Sequence, residues 1–253
     1  MKVLALDFDG VIADSVYENF YVSYLAYIKL NPDLNLYSGC SDFDSFEKRF
    51  YKKFRDISTY SRAARYYSVV HHVLDNGIKV KNQSEFDKIA DKFKKSRIME
   101  YNTEFYNQRA KSQKKDMKKW LLLSSPFKKA ISVIKKIQKM CIMYIVTNKD
   151  KNSVLKLCKH YGLSVIKDNI LDSHAGIDKV EKLGILLEKY AKDDIIFVDD
   201  LFAHCLDVKK AGFNVFMPIW GYNTKEEERI AKKKGITLLT QSNFYDKITK
   251  ALR

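Results

Sequence analysis

The chain has 253 residues, of which 46% are hydrophobic and 30% are charged, with only 9 glycines and 3 prolines. This composition excludes a disordered, collagen-like or linker-dominated protein, and the length allows one or two domains with a sizeable core. The 46 basic residues outnumber the 31 acidic ones, for a net charge of +15. Such an excess suits a nucleic acid, an anionic surface or an anionic small substrate, although a solvated lysine-rich surface explains it equally well.

The first predicted element is a short apolar run over residues 2–8, KVLALDF, which reads as a strand that ends in acids. Asp7 and Asp9 are separated by one residue, and Gly10 follows them directly. Like charges at such a separation repel each other, so a cation or a division of catalytic roles would justify the pattern. An ordinary pair of acids at a strand end is the alternative.

Residues 15–125 have a different composition, which is rich in Tyr, Phe, Lys and Arg and poor in glycine. Helical spacing is visible over 61–77, which closes on Gly77, and over 84–110, which opens at Ser84. We therefore predict a mostly helical insertion. Within it, His71 and His72 are neighbours whose side chains diverge by about 100° on a helix, so packing is favoured over a shared metal.

From residue 126 onward, short apolar runs alternate with amphipathic helical stretches. The runs MCIMYIVT, LSVI, IIFV and NVFMPI are rich in Val and Ile and have the length of strands. Helices are predicted from Pro126, over 152–161, over 178–190 and over 203–211. This alternation predicts an α/β domain with a parallel sheet and helices on both faces.

Polar side chains follow two of these later strands. Thr147 and Asn148 end one strand, Asp199 and Asp200 end another, and Lys179 stands near the start of the intervening helix. Taken singly, the threonine could be a helix cap and the lysine a surface residue. Together with the N-terminal acids they predict a metal and phosphate site, because ligands of open α/β sheets bind at the carboxyl ends of strands.

Two further features concern the compartment. No apolar stretch is long enough for a membrane-spanning helix, and the chain reaches its first acids too early for a signal peptide. The four cysteines have no C-x-x-C spacing, so reduced thiols are expected instead of disulfides or zinc ligands. These features predict a protein of the cytoplasm without a membrane partner.

The motifs DFDGVIADS, VTNK, Lys179 and FVDD stand in the order found in haloacid-dehalogenase-like (HAD) hydrolases, which the chain resembles. The segment NVFMPIWGYNTKEEE is also similar to phosphoglycolate-phosphatase-like members. The resemblance implies a Rossmann-like, three-layer α/β core with a parallel sheet over residues 1–14 and 126–253. It implies an inserted α-helical cap domain over residues 15–125, which would select the leaving group.

The resemblance also implies four catalytic residues. Asp7 would be the nucleophile that forms an aspartyl-phosphate, and Asp9 the general acid and then the base. Thr147 would bind phosphoryl oxygens, and Lys179 would neutralise developing charge and hold Asp7. Because members that cleave carbon–halogen bonds lack an acid at the position of Asp9, its presence favours phosphoryl transfer from oxygen.

The implied binding residues overlap with this set. The phosphate would be bound by Thr147, Asn148, Lys179 and Gly10. Mg²⁺ would be held by Asp7, the Asp9 carbonyl and an acid of the pair Asp199–Asp200, and which of the two is the direct ligand stays open. His204, a few residues later, could hydrogen-bond into the site, but a structural or surface role is favoured.

These features favour a Mg²⁺-dependent phosphatase that hydrolyses a small phosphorylated metabolite. A sugar phosphomutase of the β-phosphoglucomutase type is one alternative, because its N-terminal motif is similar. A non-catalytic binding module on the same scaffold is another. Aromatic and basic residues interleave in the insertion, but a helical core explains them more simply than a nucleic-acid surface. A nucleic acid is therefore not expected as a partner, and the oligomeric state is left open.

Overall fold

The computed structural model describes residues 1–32, 37, 39–40, 42–173 and 178–253. The chain divides into two compact units. Unit 1 comprises Met1–Asp14 and Ser125–Arg253, and unit 2 comprises Ser15–Ser124. The boundary expected from the sequence stands one residue later, after residue 125. Unit 2 is thus an insertion between the N-terminal segment of unit 1 and its remainder.

The described helices and strands follow one another in an order that separates a helical block from an alternating one. They are β1 (Val3–Leu6), β2 (Ala13–Asp14), α1 (Val16–Leu30), α2 (Phe43–Ser58), α3 (Tyr67–Asp75), α4 (Gln83–Ala90), α5 (Lys95–Lys115), α6 (Met117–Leu121), β3 (Ser125–Pro126), α7 (Lys128–Ile137), β4 (Ile142–Val146), α8 (Lys151–His160), β5 (Ile170–Leu171), α9 (Lys179–Leu186), β6 (Ile195–Val198), α10 (Phe202–Lys210), β7 (Asn214–Pro218), α11 (Lys225–Lys233), β8 (Thr237–Leu239) and α12 (Phe244–Ala251). Within the described residues, no helix is long and apolar enough to cross a membrane.

Unit 1 is built on a six-stranded sheet in the order β5-β4-β1-β6-β7-β8, with every neighbouring pair parallel. Val3 and Ala5 of β1 belong to one apolar cluster together with residues of α9, α10 and α11. Leu4 and Leu6 are equally buried, and they face the other side because side chains alternate along a strand. The sheet is therefore covered on both faces, and the predicted α/β fold is confirmed.

One predicted strand of unit 1 is wrong, and one predicted helix begins later than expected. The run LSVI at residues 163–166 contains no strand, and the strand that pairs with β4 on the side away from β1 is Ile170–Leu171. Leu163 is buried because it follows Gly162, whose φ of 65° ends α8, and its N–H donates to the Cys158 carbonyl. Ile166 is 67% exposed. Leu163, an apolar residue buried after the end of α8, was therefore mistaken in the sequence for the first residue of a strand.

Pro126 does not open a helix either. It lies in β3, where it pairs with Ala13 of β2 in an antiparallel ladder, and α7 begins only at Lys128. Phe127 continues the ladder, since its N–H donates to the Ile12 carbonyl at 3.0 Å. A proline without an N–H tolerates an edge strand as well as a first helical turn, so the sequence alone placed the start of this helix two residues too early.

Three helix predictions needed new bounds. The helix over 178–190 ends at Leu186, and the helical pattern over 61–77 yields α3 preceded by a short 3₁₀ turn at Ala64–Tyr66. The pattern over 84–110 is two helices, α4 and α5, separated at Lys94, whose ψ of 131° is extended. Both helices carry apolar residues at helical spacing, so the periodicity gave no sign of the break.

The aromatic residues of unit 2 form its core. Phe20, Phe46, Phe54 and Phe105 are fully buried, and the rings of Phe20 and Phe46 stack at 4.8 Å between centroids. Phe20 also contacts Phe54 edge to face at 5.2 Å. The abundance of aromatic residues in this insertion therefore supplies buried packing area.

His71 is part of the same core, as expected from packing. It is fully buried, its Nε2 lies 2.8 Å from the Ser23 hydroxyl, and its Nδ1 contacts the Tyr37 hydroxyl. Burial lowers the pKa of His71 from 6.5 to about 3. His71 is thus a neutral imidazole in the folded protein between about pH 3 and 6.5, where the same side chain binds a proton in the unfolded chain.

This depressed pKa predicts acid sensitivity. As the pH falls from 6.5 towards 3, the unfolded state binds a proton that the folded state refuses, so stability falls by up to about 1.4 kcal/mol per pH unit from this group. Urea unfolding at several pH values should show a shallower acid slope for His71→Gln than for the wild type. His72→Gln, at the half-buried neighbour, is the control and should keep the wild-type slope. Equal slopes for both variants would contradict the assignment.

Candidate active site

Three strands of the sheet end side by side. Leu6, the last residue of β1, pairs with Ile145 of β4 and with Val198 of β6. The Asp7 N–H donates to the Val198 carbonyl at 2.8 Å, which extends the β1–β6 pairing to the strand ends. The residues that follow these strands, Asp7 and Asp199 among them, therefore stand at one edge of the sheet. Because β1 is where the strand order reverses, this edge is the expected ligand site of a doubly wound sheet.

Lys179 joins the acids of two strands. It is the first residue of α9, its side chain is 2% exposed, and its Nζ lies 2.9 Å from Asp7 Oδ2 and 3.0 Å from Asp199 Oδ2. The same Nζ donates to the Val146 carbonyl at 2.7 Å. The Asp7 Oδ1 accepts the Phe8 N–H at 2.7 Å. Asp7 is thus held at both oxygens, in a defined orientation.

The charges of this cluster shift its pKa values in opposite directions. Burial raises the pKa of Asp7 to about 6, although Lys179 acts to lower it. Burial would also raise the pKa of Asp199, but Lys179 and then His204 outweigh it and hold that pKa well below the usual range. Burial would lower the pKa of Lys179, and the charges of Asp199 and Asp7 raise it instead. At neutral pH, Asp199 and Lys179 therefore form the firmer ion pair.

Asp200 stands in a different environment. It is fully buried, and its Oδ2 accepts the Tyr222 N–H at 2.6 Å, while Oδ1 has no hydrogen-bond partner among the described residues. Two glycines make room for this carboxylate. A Cβ at Gly10, whose φ is 79°, would fall 2.1 Å from Asp200 Oδ2, and a Cβ at Gly221 would fall 2.4 Å from it. Gly10 is therefore required both by its backbone conformation and by the approach of Asp200.

The site fits a divalent cation. Burial, followed by the charges of Asp199 and Asp7, raises the pKa of Asp200 well above its usual value, and the hydrogen bond from the Tyr222 N–H offsets only part of this effect. Ligand atoms of Asp7, Asp199 and His204 also lie within 4.8 Å of one another. Both Lys179 and the His204 Nδ1, at 3.1 Å, already engage the Asp199 Oδ2. Asp200, whose Oδ1 has no partner among the described residues, is consequently the acid of the pair Asp199–Asp200 that better suits a hard cation such as Mg²⁺.

Hydrogen bonds fix the polar groups of Thr147 and Asn148, the two residues that follow β4. Thr147 is 1% exposed, and its Oγ1 accepts the Lys149 N–H at 3.1 Å, which leaves the hydroxyl proton for donation. Lys182 Nζ donates to the Thr147 carbonyl at 2.7 Å and to the Asn148 Oδ1 at 2.6 Å. The helix predicted over 152–161 is α8, which begins at Lys151, so residues 147–150 connect β4 to this helix.

Asp9 is the most accessible acid of the site. Its side chain is 24% exposed, against 8% for Asp7, and its Oδ1 lies 3.2 Å from the Nζ of Lys149, whose own side chain is buried. An acid that exchanges protons with a ligand and with water has to be reachable from solvent. Asp9 is exposed enough for this exchange. Asp7 is instead buried and held in one orientation, as a nucleophilic carboxylate requires.

The chain matches no protein-family model and no curated protein sequence. It is similar to solved structures over its whole length. A haloacid dehalogenase-like hydrolase from Streptococcus pneumoniae has a TM-score of 0.58 at 13% identity, with 100% of this chain and 99% of that one covered. A predicted phosphoglycolate phosphatase from Haemophilus somnus has a TM-score of 0.61 at 16% identity, with 98% of each chain covered. A HAD family hydrolase from Deinococcus radiodurans, solved with bound phosphate and sodium, has a TM-score of 0.53 at 13% identity, with 99% and 96% covered.

The chain has the haloacid-dehalogenase-like fold. The similarity extends over unit 2 as well as unit 1, since at least 98% of this chain is covered in each of the three alignments. At identities of 12% to 16% across the similar structures, this agreement concerns the fold. The predicted fold is confirmed, and the roles of single residues rest on the geometry of the site.

Every site residue predicted from the sequence lies at this edge of the HAD-like sheet. Lys179 contacts both Asp7 and Asp199, and Gly10 adjoins Asp200. Thr147 and Asn148 follow the Val146 carbonyl to which Lys179 donates. The expectation for His204 needs correction, because its ring contacts Asp199 inside the site instead of serving only at the surface.

Sequence reasoning missed four further residues of the site. Lys149 contacts Asp9, Lys182 contacts the Thr147–Asn148 segment, and Gly221 and Tyr222 surround the Asp200 carboxylate. One signal could have revealed Lys182, since it lies three residues after Lys179 and therefore on the same helical face. Gly221 and Tyr222 belong to the segment NVFMPIWGYN, but nothing in its sequence indicates that they adjoin Asp200.

Proposed function

We propose that this protein is a Mg²⁺-dependent phosphatase that hydrolyses a small phosphate monoester through an aspartyl-phosphate on Asp7. One observation carries the proposal: a buried carboxylate, Asp7, is oriented by Lys179 at the same edge of the sheet as the Thr147 hydroxyl and an accessible second acid, Asp9. The names of the similar structures, which include hydrolases and a predicted phosphatase, support the same reaction class.

The reaction has two steps. The Asp7 carboxylate attacks phosphorus, the bond from phosphorus to the leaving oxygen breaks, and Asp9 gives that oxygen its proton. A water molecule then attacks the phosphorus of the aspartyl-phosphate while Asp9 takes a proton from it, which releases inorganic phosphate and restores Asp7. Lys179 and the Thr147 hydroxyl offset the charge on the phosphoryl oxygens.

The cation would be held by Asp7, the Asp9 carbonyl and Asp200. When bound, Mg²⁺ offsets the repulsion between the nucleophilic carboxylate and the anionic phosphate. Asp200 is preferred over Asp199 as the direct ligand, because its Oδ1 lacks a partner among the described residues while both oxygens of Asp199 are engaged. Asp199 instead holds Lys179 in place.

This assignment predicts opposite effects for the two neighbouring acids. Asp200→Asn removes a charge that the fold opposes, so its melting temperature in EDTA should equal or exceed that of the wild type. Its half-saturating Mg²⁺ concentration should rise by about 10- to 100-fold. Asp199→Asn should lower the melting temperature, because Lys179 loses the charge that compensates it. Unchanged Mg²⁺ dependence in Asp200→Asn would contradict the assignment.

The reaction itself is tested with p-nitrophenyl phosphate and a panel of sugar phosphates, nucleotides and phosphoglycolate. Turnover should require Mg²⁺ and stop in EDTA. A wild-type protein that hydrolyses none of these compounds, and whose melting temperature does not respond to Mg²⁺ with beryllofluoride, would overturn the proposal.

The two units have different parts in this proposal. Unit 1 carries every residue assigned to the reaction, and it serves as the catalytic core. Unit 2 is proposed as the cap that selects the leaving group, because it is inserted between the segment carrying Asp7 and the segment carrying Thr147.

A further inference from the structure

A second buried lysine adjoins the site. Lys182 lies one helical turn after Lys179 on α9 and is fully buried, with no role assigned in the reaction above. Lys179 donates to the Val146 carbonyl, and Lys182 donates to the Thr147 carbonyl and the Asn148 Oδ1. One face of α9 therefore places two ammonium groups against three consecutive residues at the end of β4.

The two contacts of Lys182 determine how the peptide group between Thr147 and Asn148 and the Asn148 side chain are oriented. In a trans peptide, the Thr147 carbonyl and the Asn148 N–H point in opposite directions. Holding the carbonyl oxygen at 2.7 Å from Lys182 therefore turns the Asn148 N–H away from Lys182. The ammonium group also selects the orientation of the Asn148 side-chain amide, since it can bond only to the amide oxygen.

An anion-binding segment needs this arrangement. A phosphoryl group is repelled by carbonyl and amide oxygens and is bound by N–H and O–H donors. Lys182 occupies two acceptors in succession, next to the Thr147 hydroxyl that remains available for donation. We infer that Lys182 is a positioning residue, which holds the Thr147–Asn148 segment with its donors directed for phosphate binding. This inference rests on the proposed phosphatase function.

Burial and a neighbouring positive charge both disfavour an ammonium group at position 182. Burial, followed by the charge of Lys179, lowers the pKa of Lys182 to about 8, against the opposing charges of Asp7, Asp172 and Asp199. Two ammonium groups on adjacent turns of a buried helix face repel each other. An apolar residue of similar length would avoid both penalties, so a role in orienting the segment accounts better for the lysine.

The test is Lys182→Met, which keeps the length of the side chain and removes its donors. We expect the KM for p-nitrophenyl phosphate and the Kd for inorganic phosphate, measured on folded protein, to rise by about tenfold or more. The half-saturating Mg²⁺ concentration should stay within about twofold of the wild type, since Lys182 contacts no proposed metal ligand. Lys189→Met, at an exposed lysine beyond the end of α9, is the matched control and should change neither constant.

A second variant covers the case in which Lys182→Met does not fold. Lys182→Gln keeps one donor on a shorter side chain, and its KM and phosphate Kd should lie between those of the wild type and the methionine variant. A merely structural lysine would lower the melting temperature and leave both constants of the folded protein at wild-type values, which would overturn the inference. Absence of turnover and of phosphate binding in the wild type would instead overturn the proposed function.

Discussion

Replacing Asp7 by asparagine is expected to reduce phosphatase activity by at least about 10³-fold. An amide is a far weaker nucleophile than a carboxylate, and no other acid of the site can take its place. Asp9 is paired with Lys149, Asp199 with Lys179 and His204, and Asp200 is held by Tyr222. The loss should appear in kcat, with substrate binding affected much less.

The same substitution should leave the fold intact. Burial raises the pKa of Asp7 from 3.8 to about 6, so the folded state disfavours its charge at neutral pH by an energy on the order of 3 kcal/mol. A neutral asparagine of the same shape removes this penalty. In EDTA, the melting temperature of Asp7→Asn should therefore equal or exceed that of the wild type, although the variant is inactive.

The control for this experiment is Asp207→Asn, the same chemical change at an aspartate whose side chain is 58% exposed. It should retain full activity and an unchanged melting temperature. Substantial turnover by Asp7→Asn, free of wild-type contamination, would show that Asp7 is not the nucleophile. A lowered melting temperature in EDTA would instead contradict the electrostatic description of the site.

The second large effect is expected in unit 2, at a buried ion pair. Glu18 of α1 is fully buried, and Arg109 of α5 is 3% exposed. The Arg109 Nε donates to Glu18 Oε1 at 2.8 Å, and a second nitrogen donates to Oε2 at 2.9 Å. Asn19 accepts from the same guanidinium, and the Trp120 Nε1 donates to Glu18. The pair thus joins α1, α5 and α6.

Arg109→Met should destabilise the protein by about 3–5 kcal/mol, because it leaves the Glu18 carboxylate buried without its cation. The double variant Glu18→Gln/Arg109→Met should recover part of that loss, since it removes both charges together. Urea unfolding of the two single variants and the double variant measures the coupling between them. A double variant that is as unstable as the sum of the single ones would show that the two charges are not coupled.

Arg97→Met provides the matched control. Arg97 lies on the same helix, its side chain is 67% exposed, and its Nη1 lies 2.9 Å from Glu100. An exposed ion pair of this kind contributes less than about 1 kcal/mol, so the control should be close to wild type. The contrast between the two arginines isolates the effect of burial from the effect of the ion pair itself.

Local sequence patterns predicted an element correctly wherever the residues of one segment alone determine its secondary structure. The apolar run before Asp7 is a strand, and the apolar run before Asp199 is another, because short Val- and Ile-rich segments suit a buried parallel sheet. Patterns failed where a neighbour decided the structure. Pro126 lies in a strand because Ala13 pairs with it, and Leu163 is buried by the helix end that precedes it.

The sequence by itself determined which chemical groups stand at the strand ends: two acids after β1, a threonine after β4, two acids after β6 and a lysine at the start of α9. Only the tertiary structure decided how these groups are paired. Asp199 binds Lys179 while Asp200 keeps an oxygen without a partner among the described residues, and the sequence left the two acids indistinguishable. The physical reason is that adjacent strand-end residues point in different directions, and residues far apart in the chain come within 3 Å only after strand order and helix packing are set.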